Sequence, residues 1–315
     1  MKNLLPVVHH VLKLLILMGF AGYIAYLTFT GDILLYIAPH LVKYTELAAA
    51  GLFLFAVFQL YILIRSRTKE VPAACACSHD SVHHHHHHHD HDEHGHGHEP
   101  SPSLAKNVLM YGLFILPLLL GVVLPDQAFA GSLVKSRGIQ VGESAGGSGG
   151  IPADLAPLAG TDDPELKERF KSDKYNRDYA KLGMLLYRQD VIEMKDEWFI
   201  EKLQALNAFA GNFEGKTIRI KGFVYREEGL GENQFIIGRM AMTHCIADIS
   251  PYGIIAETPE AGSFADDAWV DITGTIATTT YRGQQVIKID VSDTEPAAAP
   301  TIPYVYPDWD FAKKL

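Results

Sequence analysis

Residues 47–69 read LAAAGLFLFAVFQLYILIRSRTK. Residues 47–64 carry no charge, and Arg65, Arg67 and Lys69 follow at once. At 1.5 Å rise per residue, eighteen helical residues cover about 27 Å, close to the hydrocarbon thickness of a bilayer. Lys and Arg crowd the cytoplasmic end of a span, so the stretch predicts both a membrane crossing and its direction.

Two further runs extend the pattern. Residues 11–29 read VLKLLILMGFAGYIAYLTF, and residues 104–124 read LAKNVLMYGLFILPLLLGVVL. The first could be the apolar region of a signal peptide. It is longer than such regions usually are, and no small-x-small cleavage pattern follows promptly, so it is read as a span. Pro117 inside the third run is tolerable in a membrane helix. Residues 1–130 are thus expected to hold three spans, about 11–29, 47–64 and 104–124. Lys2, Lys13, the 65–69 cluster and Lys106 put the N-terminus and the loop between spans two and three in the cytoplasm. The 30–46 connection and everything after residue 124 then face outward, against a weak opposing signal from Lys135 and Arg137.

Residues 131–150 end in GESAGGSGG and read as a flexible linker. Beyond it, residues 151–315 hold 18 Lys and Arg against 27 Asp and Glu. An acidic module repels phosphate backbones, which argues against nucleic-acid binding. Three cysteines are too few for a disulfide framework. Asp162 or Asp163 before Pro164 signals a helix start. Asp196 is placed to cap a second helix, with Phe199, Leu203, Leu206 and Phe209 along one face. From Lys216 the period changes to two. TIRIKGFVYRE, QFIIGRMAMTHCIADIS, YGIIAE, AWVDITGTIATTTY and QVIKIDVS predict five short strands. With Gly222 early and Gly274 late, residues 216–292 suggest a small closed β-barrel of the OB type, an open sandwich being the alternative. The expected fold is multi-domain: a three-helix transmembrane region plus a soluble, extracytoplasmic α+β domain.

Between spans two and three lies CACSHDSVHHHHHHHDHDEHGHGH, residues 75–98. It contains Cys75, Cys77 and twelve of the sixteen histidines: His79, His83, His84, His85, His86, His87, His88, His89, His91, His94, His96 and His98. Neutral imidazole suits Zn²⁺, Ni²⁺ and Cu²⁺, and such a run offers many interchangeable ligand sets. Asp90, Asp92 and Glu93 add oxygens. A purification tag is a plain run, usually terminal, whereas this one is internal and continues into DHDEHGHGH. A functionless solvated tract is the other plain reading. Cys75 and Cys77 supply thiolates in a reducing compartment, or sites of lipid attachment.

The third cysteine sits in GRMAMTHCIADISPYGIIAE, residues 238–257. As one regular strand, it would place Met240, Met242, His244 and Asp248 on one face and Cys245 on the other. The methionines read as core. His244, Cys245 and Asp248 are candidate metal ligands, although a site using adjacent residues requires irregular backbone. His40, after Pro39, could be an outward ligand or part of an interfacial helix with Tyr36 and Tyr44. His9, His10 and Lys13 are expected to snorkel at the membrane edge. No nucleophile elbow, Walker loop, HExxH or Rossmann fingerprint is present, and Cys245 has no general base beyond His244, so no enzyme is expected.

The order of features, with EGKTIRIKGFVYRE and RMAMTHCIADISPYG in the soluble part, resembles the YcgQ-like family of permease subunits, whose C-terminal portion is a domain of unknown function. Gly222–Arg226 and the R-M-x-x-T-x-C-x-A-D pattern from Arg239 to Asp248 carry it. Family members commonly have a Cys-Cys pair where this chain has His244-Cys245, which keeps two potential ligands but no vicinal dithiol. The resemblance implies a larger multi-spanning permease as partner, often in zinc-responsive settings. The expectation is an accessory permease subunit handling a transition-metal ion such as zinc, with a structural or assembly membrane protein as the alternative.

Overall fold

The computed structural model describes residues 4–68, 104–123, 138–142, 163–173 and 175–315. The histidine tract with Cys75 and Cys77 lies outside them. The chain divides into two compact units, Met1–Ile33 with Val42–Pro125, and Leu34–Leu41 with Asp126–Leu315.

The first unit is helical: α1 (Leu4–Thr30), α2 (Pro39–Thr68) and α3 (Leu104–Val123). Within them Val7–Thr30, Pro39–Arg65 and Ala105–Val123 are long and apolar enough to cross a membrane, in line with the three expected runs. Large side chains such as Phe55, Leu109 and Leu113 are exposed, as lipid-facing residues would be. Polar contacts join the helices. The Tyr23 hydroxyl donates to the Gly121 carbonyl at 2.8 Å, and a Cβ at Gly121 would sit 2.8 Å from that hydroxyl. His9 is bonded to Tyr111, and Gln59 lies 2.5 Å from His10 Nδ1, so these imidazoles face neighbouring helices instead of snorkelling.

In the second unit, α4 (Pro164–Arg169) starts where the sequence indicates. The Asp163 carboxylate accepts the N–H groups of Glu165 and Leu166 at 3.0 and 3.3 Å, and Pro164 needs no donor there. α5 (Arg177–Tyr187) and α6 (Phe199–Ala208) follow, and a short α7 (Phe311–Lys314) ends the chain. Asp196 does not cap α6 with its side chain. Trp198, left-handed at φ 56°, occupies the cap, and Asp196 pairs with Arg239 instead. A buried guanidinium outcompetes a local cap for the carboxylate.

Seven strands form one sheet among the described residues: β1 (Val191–Met194), β2 (Thr217–Tyr225), β3 (Gln234–Ala241), β4 (Ser250–Glu257), β5 (Trp269–Tyr281), β6 (Gln284–Pro296) and β7 (Tyr304–Val305). Their order is β1-β2-β5-β6-β4-β3-β7, and β2 also pairs with β3. Strands β2, β5, β6, β4 and β3 therefore close into a ring. Every pairing in it is antiparallel except β4 with β6. Two glycines permit the closure. At Gly222 a Cβ would come within 2.5 Å of the Gly238 carbonyl oxygen, and at Gly274, opposite the bulge at Ser292 of β6, within 2.4 Å of the Asp290 carbonyl oxygen.

Alternation along the strands divides the apolar residues between two cores. Ile218, Ile220, Ile237, Ile272 and Ile289 pack with Phe170, Leu186, Phe199 and Leu206 of the helices. Phe223, Ile236, Met240 and Ile255 gather on the other side with Met242, Val286 and Tyr304. Ile139 and Val141 join this second core, and Gln140 bridges to Tyr252 of β4. Part of the expected linker is thus bound, because its alternating Ile-Gln-Val can hydrogen-bond as a strand does.

Candidate functional site

The stretch read as one strand from 234 to 250 is two strands joined by a tight turn. β3 ends at Ala241, Ile246–Asp248 form a 3-10 turn, and β4 begins at Ser250. Met240 and Met242 are core residues, as their alternation suggests. Asp248 explains why the strand breaks. Its Oδ1 accepts Thr243 N–H at 3.0 Å, while Oδ2 accepts His244 N–H at 2.8 Å and Cys245 N–H at 3.3 Å. A carboxylate that collects three consecutive amides folds the backbone around itself. His244 Nδ1 lies 3.1 Å from the same Oδ2. Partial burial pushes the Asp248 carboxyl up, but the amides of His244, Cys245 and Thr243, with the imidazole, hold it below the usual carboxylate range.

The connector between α1 and α2 completes the arrangement, since Leu34–Leu41 belongs to this unit. Ala38 N–H donates to the His244 carbonyl at 2.9 Å, and Ile246 N–H to the Tyr36 carbonyl at 2.8 Å. The Tyr306 hydroxyl donates to the Leu34 carbonyl at 2.7 Å. These bonds bring His40 beside His244, with ring centroids 5.9 Å apart and planes at 72°. Both imidazoles are exposed, and Cys245 is a half-buried free thiol. Of the sequence candidates outside the histidine tract, His244, Cys245 and Asp248 are therefore brought together, and His40 joins them.

With Nδ1 turned to Asp248, His244 leaves Nε2 for an incoming ligand, the orientation a carboxylate imposes on metal-binding histidines. Two imidazoles and a thiol are donors that suit Zn²⁺ or Cu²⁺, with Asp248 placed to orient His244. The donors are not preassembled: among the described residues no three His, Cys, Asp or Glu side chains already converge on one point. His40 and His244 would have to turn toward a common ion, which their exposure permits. The proximity of His40 to the turn was invisible in the sequence, because it rests on backbone bonds between segments some two hundred residues apart.

Three membrane-length helices and a domain built on a five-strand ring define a membrane protein with a folded appendage. Residues 12–140 match the DUF1980 N-terminal domain and residues 169–307 the DUF1980 C-terminal domain. The chain belongs to this family. It is 31% identical over 299 residues to the UPF0703 protein YcgQ of Bacillus subtilis (strain 168), covering 93% of this chain and 98% of that protein. It is 20% identical over 193 residues to a protein of Streptococcus mutans serotype c, provisionally named a two-component membrane permease complex subunit, covering 61% of this chain and 70% of that one. Among solved structures, a small single-stranded DNA-binding protein from Streptomyces coelicolor aligns at 16% identity and a TM-score of 0.18, covering 27% of this chain and 96% of that one.

Proposed function

We propose that this protein is an accessory, non-enzymatic subunit of a membrane permease complex and that it handles a transition-metal ion of the zinc kind as cargo. The name of the Streptococcus relative supports the permease association. Three spans with so few ionisable residues cannot readily form an ion path alone, which calls for a larger membrane partner. The observation that carries the metal reading is the pairing of exposed His40, at the start of α2, with the Asp248-oriented His244 of the turn between β3 and β4. In this reading the turn captures the ion, and the histidine tract of residues 79–98 buffers it across the membrane. We read the ring as an OB-type module, because its order β2-β3-β4-β6-β5 with a parallel β4–β6 contact suits that class. The backbone bonds between residues 36–38 and the His244–Ile246 turn are consistent with the connector and the ring domain sharing one side of the bilayer, as the Lys and Arg distribution expects.

The test is competition of the full-length chain, in detergent, against a zinc indicator. Deleting residues 79–98 removes the tract sites, and a tighter class of about one ion per chain is expected to remain. His244→Ala and His40→Ala each weaken that class about tenfold or more. Zinc binding to the tract-deleted chain that neither substitution changes would overturn the site.

A further inference from the structure

Strand β2 changes partners along one edge. Residues 217–220 pair in parallel with β1, and residues 223–225 pair antiparallel with β3, while β5 holds the opposite edge from residue 217 to residue 223. At Lys221 and Gly222 no strand pairs on the first edge among the described residues. The chain leaving β1 and the end of β3 diverge there, and a cavity of about 520 Å³ opens between them. That is ample for a small metabolite.

Arg239 of β3 lines this cavity, and only 2% of it is exposed. Its guanidinium is flanked by Phe199 and Trp269, with ring centroids 5.7 and 5.4 Å from Cζ. One terminal nitrogen, Nη1, donates to Asp196 Oδ1 at 2.6 Å and lies 3.5 Å from the Lys221 carbonyl. The other two nitrogens, Nε and Nη2, are buried and have no hydrogen-bond partner among the described residues. Arginine stays charged at all accessible pH, so these N–H groups cannot escape by deprotonation. Together they form the planar fork that matches two oxygens of one carboxylate or phosphate. The neighbouring charges leave room for an anion. Glu193 is paired with Lys195 and Asp271 with Arg219, whereas the Lys221 ammonium, also lining the cavity, enters no ion pair among the described residues. Glu197 is exposed and is the lining carboxylate without an ion pair among the described residues.

We propose that this cavity is a binding site for a small oxyanion-bearing ligand, its carboxylate or phosphate held by Nε and Nη2 of Arg239 with Lys221 as the second cation. The site is separate from the His244 turn and does not depend on the metal reading.

Thermal unfolding of the full-length chain in detergent tests this, with inorganic phosphate, succinate and chloride titrated at constant ionic strength. A saturable rise in Tm with phosphate or with succinate, and none with chloride, is expected, and the anion that acts assigns the ligand class. Lys221→Ala is expected to move the half-saturating concentration up about tenfold while the anion-free Tm stays put. Arg239→Lys keeps the charge but loses the fork, and the saturable rise disappears. If that variant fails to fold, direct calorimetric titration of the wild type and of Lys221→Ala decides. Absence of a saturable effect from either oxyanion on the wild type, as when an ordered water fills the fork, would overturn the proposal. So would a response that Lys221→Ala leaves unchanged.

Discussion

Replacing Asp196 with alanine removes the one short bond to a buried guanidinium. Arg239 would keep its charge, with the Lys221 carbonyl at 3.5 Å as the nearest acceptor. Removing one partner of a fully buried pair costs about 3–5 kcal/mol. Here only the arginine is buried; the Asp196 side chain is 63% exposed, so part of its attraction is already screened by water. The aromatic flanks of Phe199 and Trp269 also remain. We therefore expect a loss of about 2–3 kcal/mol, or about 5–10 °C in Tm for a domain of this size. The assay is built into the chain, because its three tryptophans, Trp198, Trp269 and Trp309, all lie in the ring unit. Tryptophan fluorescence of the full-length protein in detergent thus follows this unit without background from the spans. Asp196→Asn retains an acceptor and is expected to lose about half as much. A Tm for Asp196→Ala within about 1 °C of wild type would refute the assignment and leave the aromatic faces as the main support of the guanidinium.

Acid sensitivity follows from Asp248. Its carboxyl is held below its ordinary value, so its contribution is fully present above the unfolded-state pKa and is lost as pH falls through the lower folded-state value. Asp248→Asn is expected to flatten the acid limb of the Tm profile below about pH 4 and to cost about 1–2 kcal/mol at neutral pH, both read by fluorescence. Gly222→Ala drives a methyl into the Gly238 carbonyl and is expected to destabilise by about 3 kcal/mol, read by the same midpoint. Phe223→Ala empties a fully buried position and is expected to cost about 3–5 kcal/mol. Reporter fusions at residue 90 and at the C-terminus are expected on opposite sides of the membrane, and the same side for both would discard the capture-and-buffer scheme.

Local chemistry made much of this architecture readable. Apolar runs of the right length marked the three helices, Asp163-Pro164 marked the start of α4, and period-two patterning marked β2 to β6. What escaped depends on partners distant in sequence. VIEM is too short for β1 to be recognised before its parallel match with residues 217–220 is known. Asp196 obeys the local rule for a cap, but Arg239, 43 residues on, claims its carboxylate. The break after Ala241 was hidden because Asp248 acts backward on three amides, and alternation records side-chain faces only. Arg239 was legible as part of a family pattern, yet its burial and its unmatched nitrogens were not.

The ring is stitched unevenly. β5 and β6 run together over nearly their whole lengths and β3 and β4 over eight residue pairs, whereas β2 meets β3, and β4 meets β6, over three pairs each. The domain is in effect a three-strand sheet and a two-strand ribbon joined by two short seams. Fluctuations that spare the long pairings can still part a seam. Amides at the seams are then the ones to exchange hydrogen first, and the seam between Phe223–Tyr225 and Ile236–Gly238 adjoins the Arg239 cavity. Breathing at that junction would widen the approach from the cavity to a guanidinium that is only 2% exposed at rest.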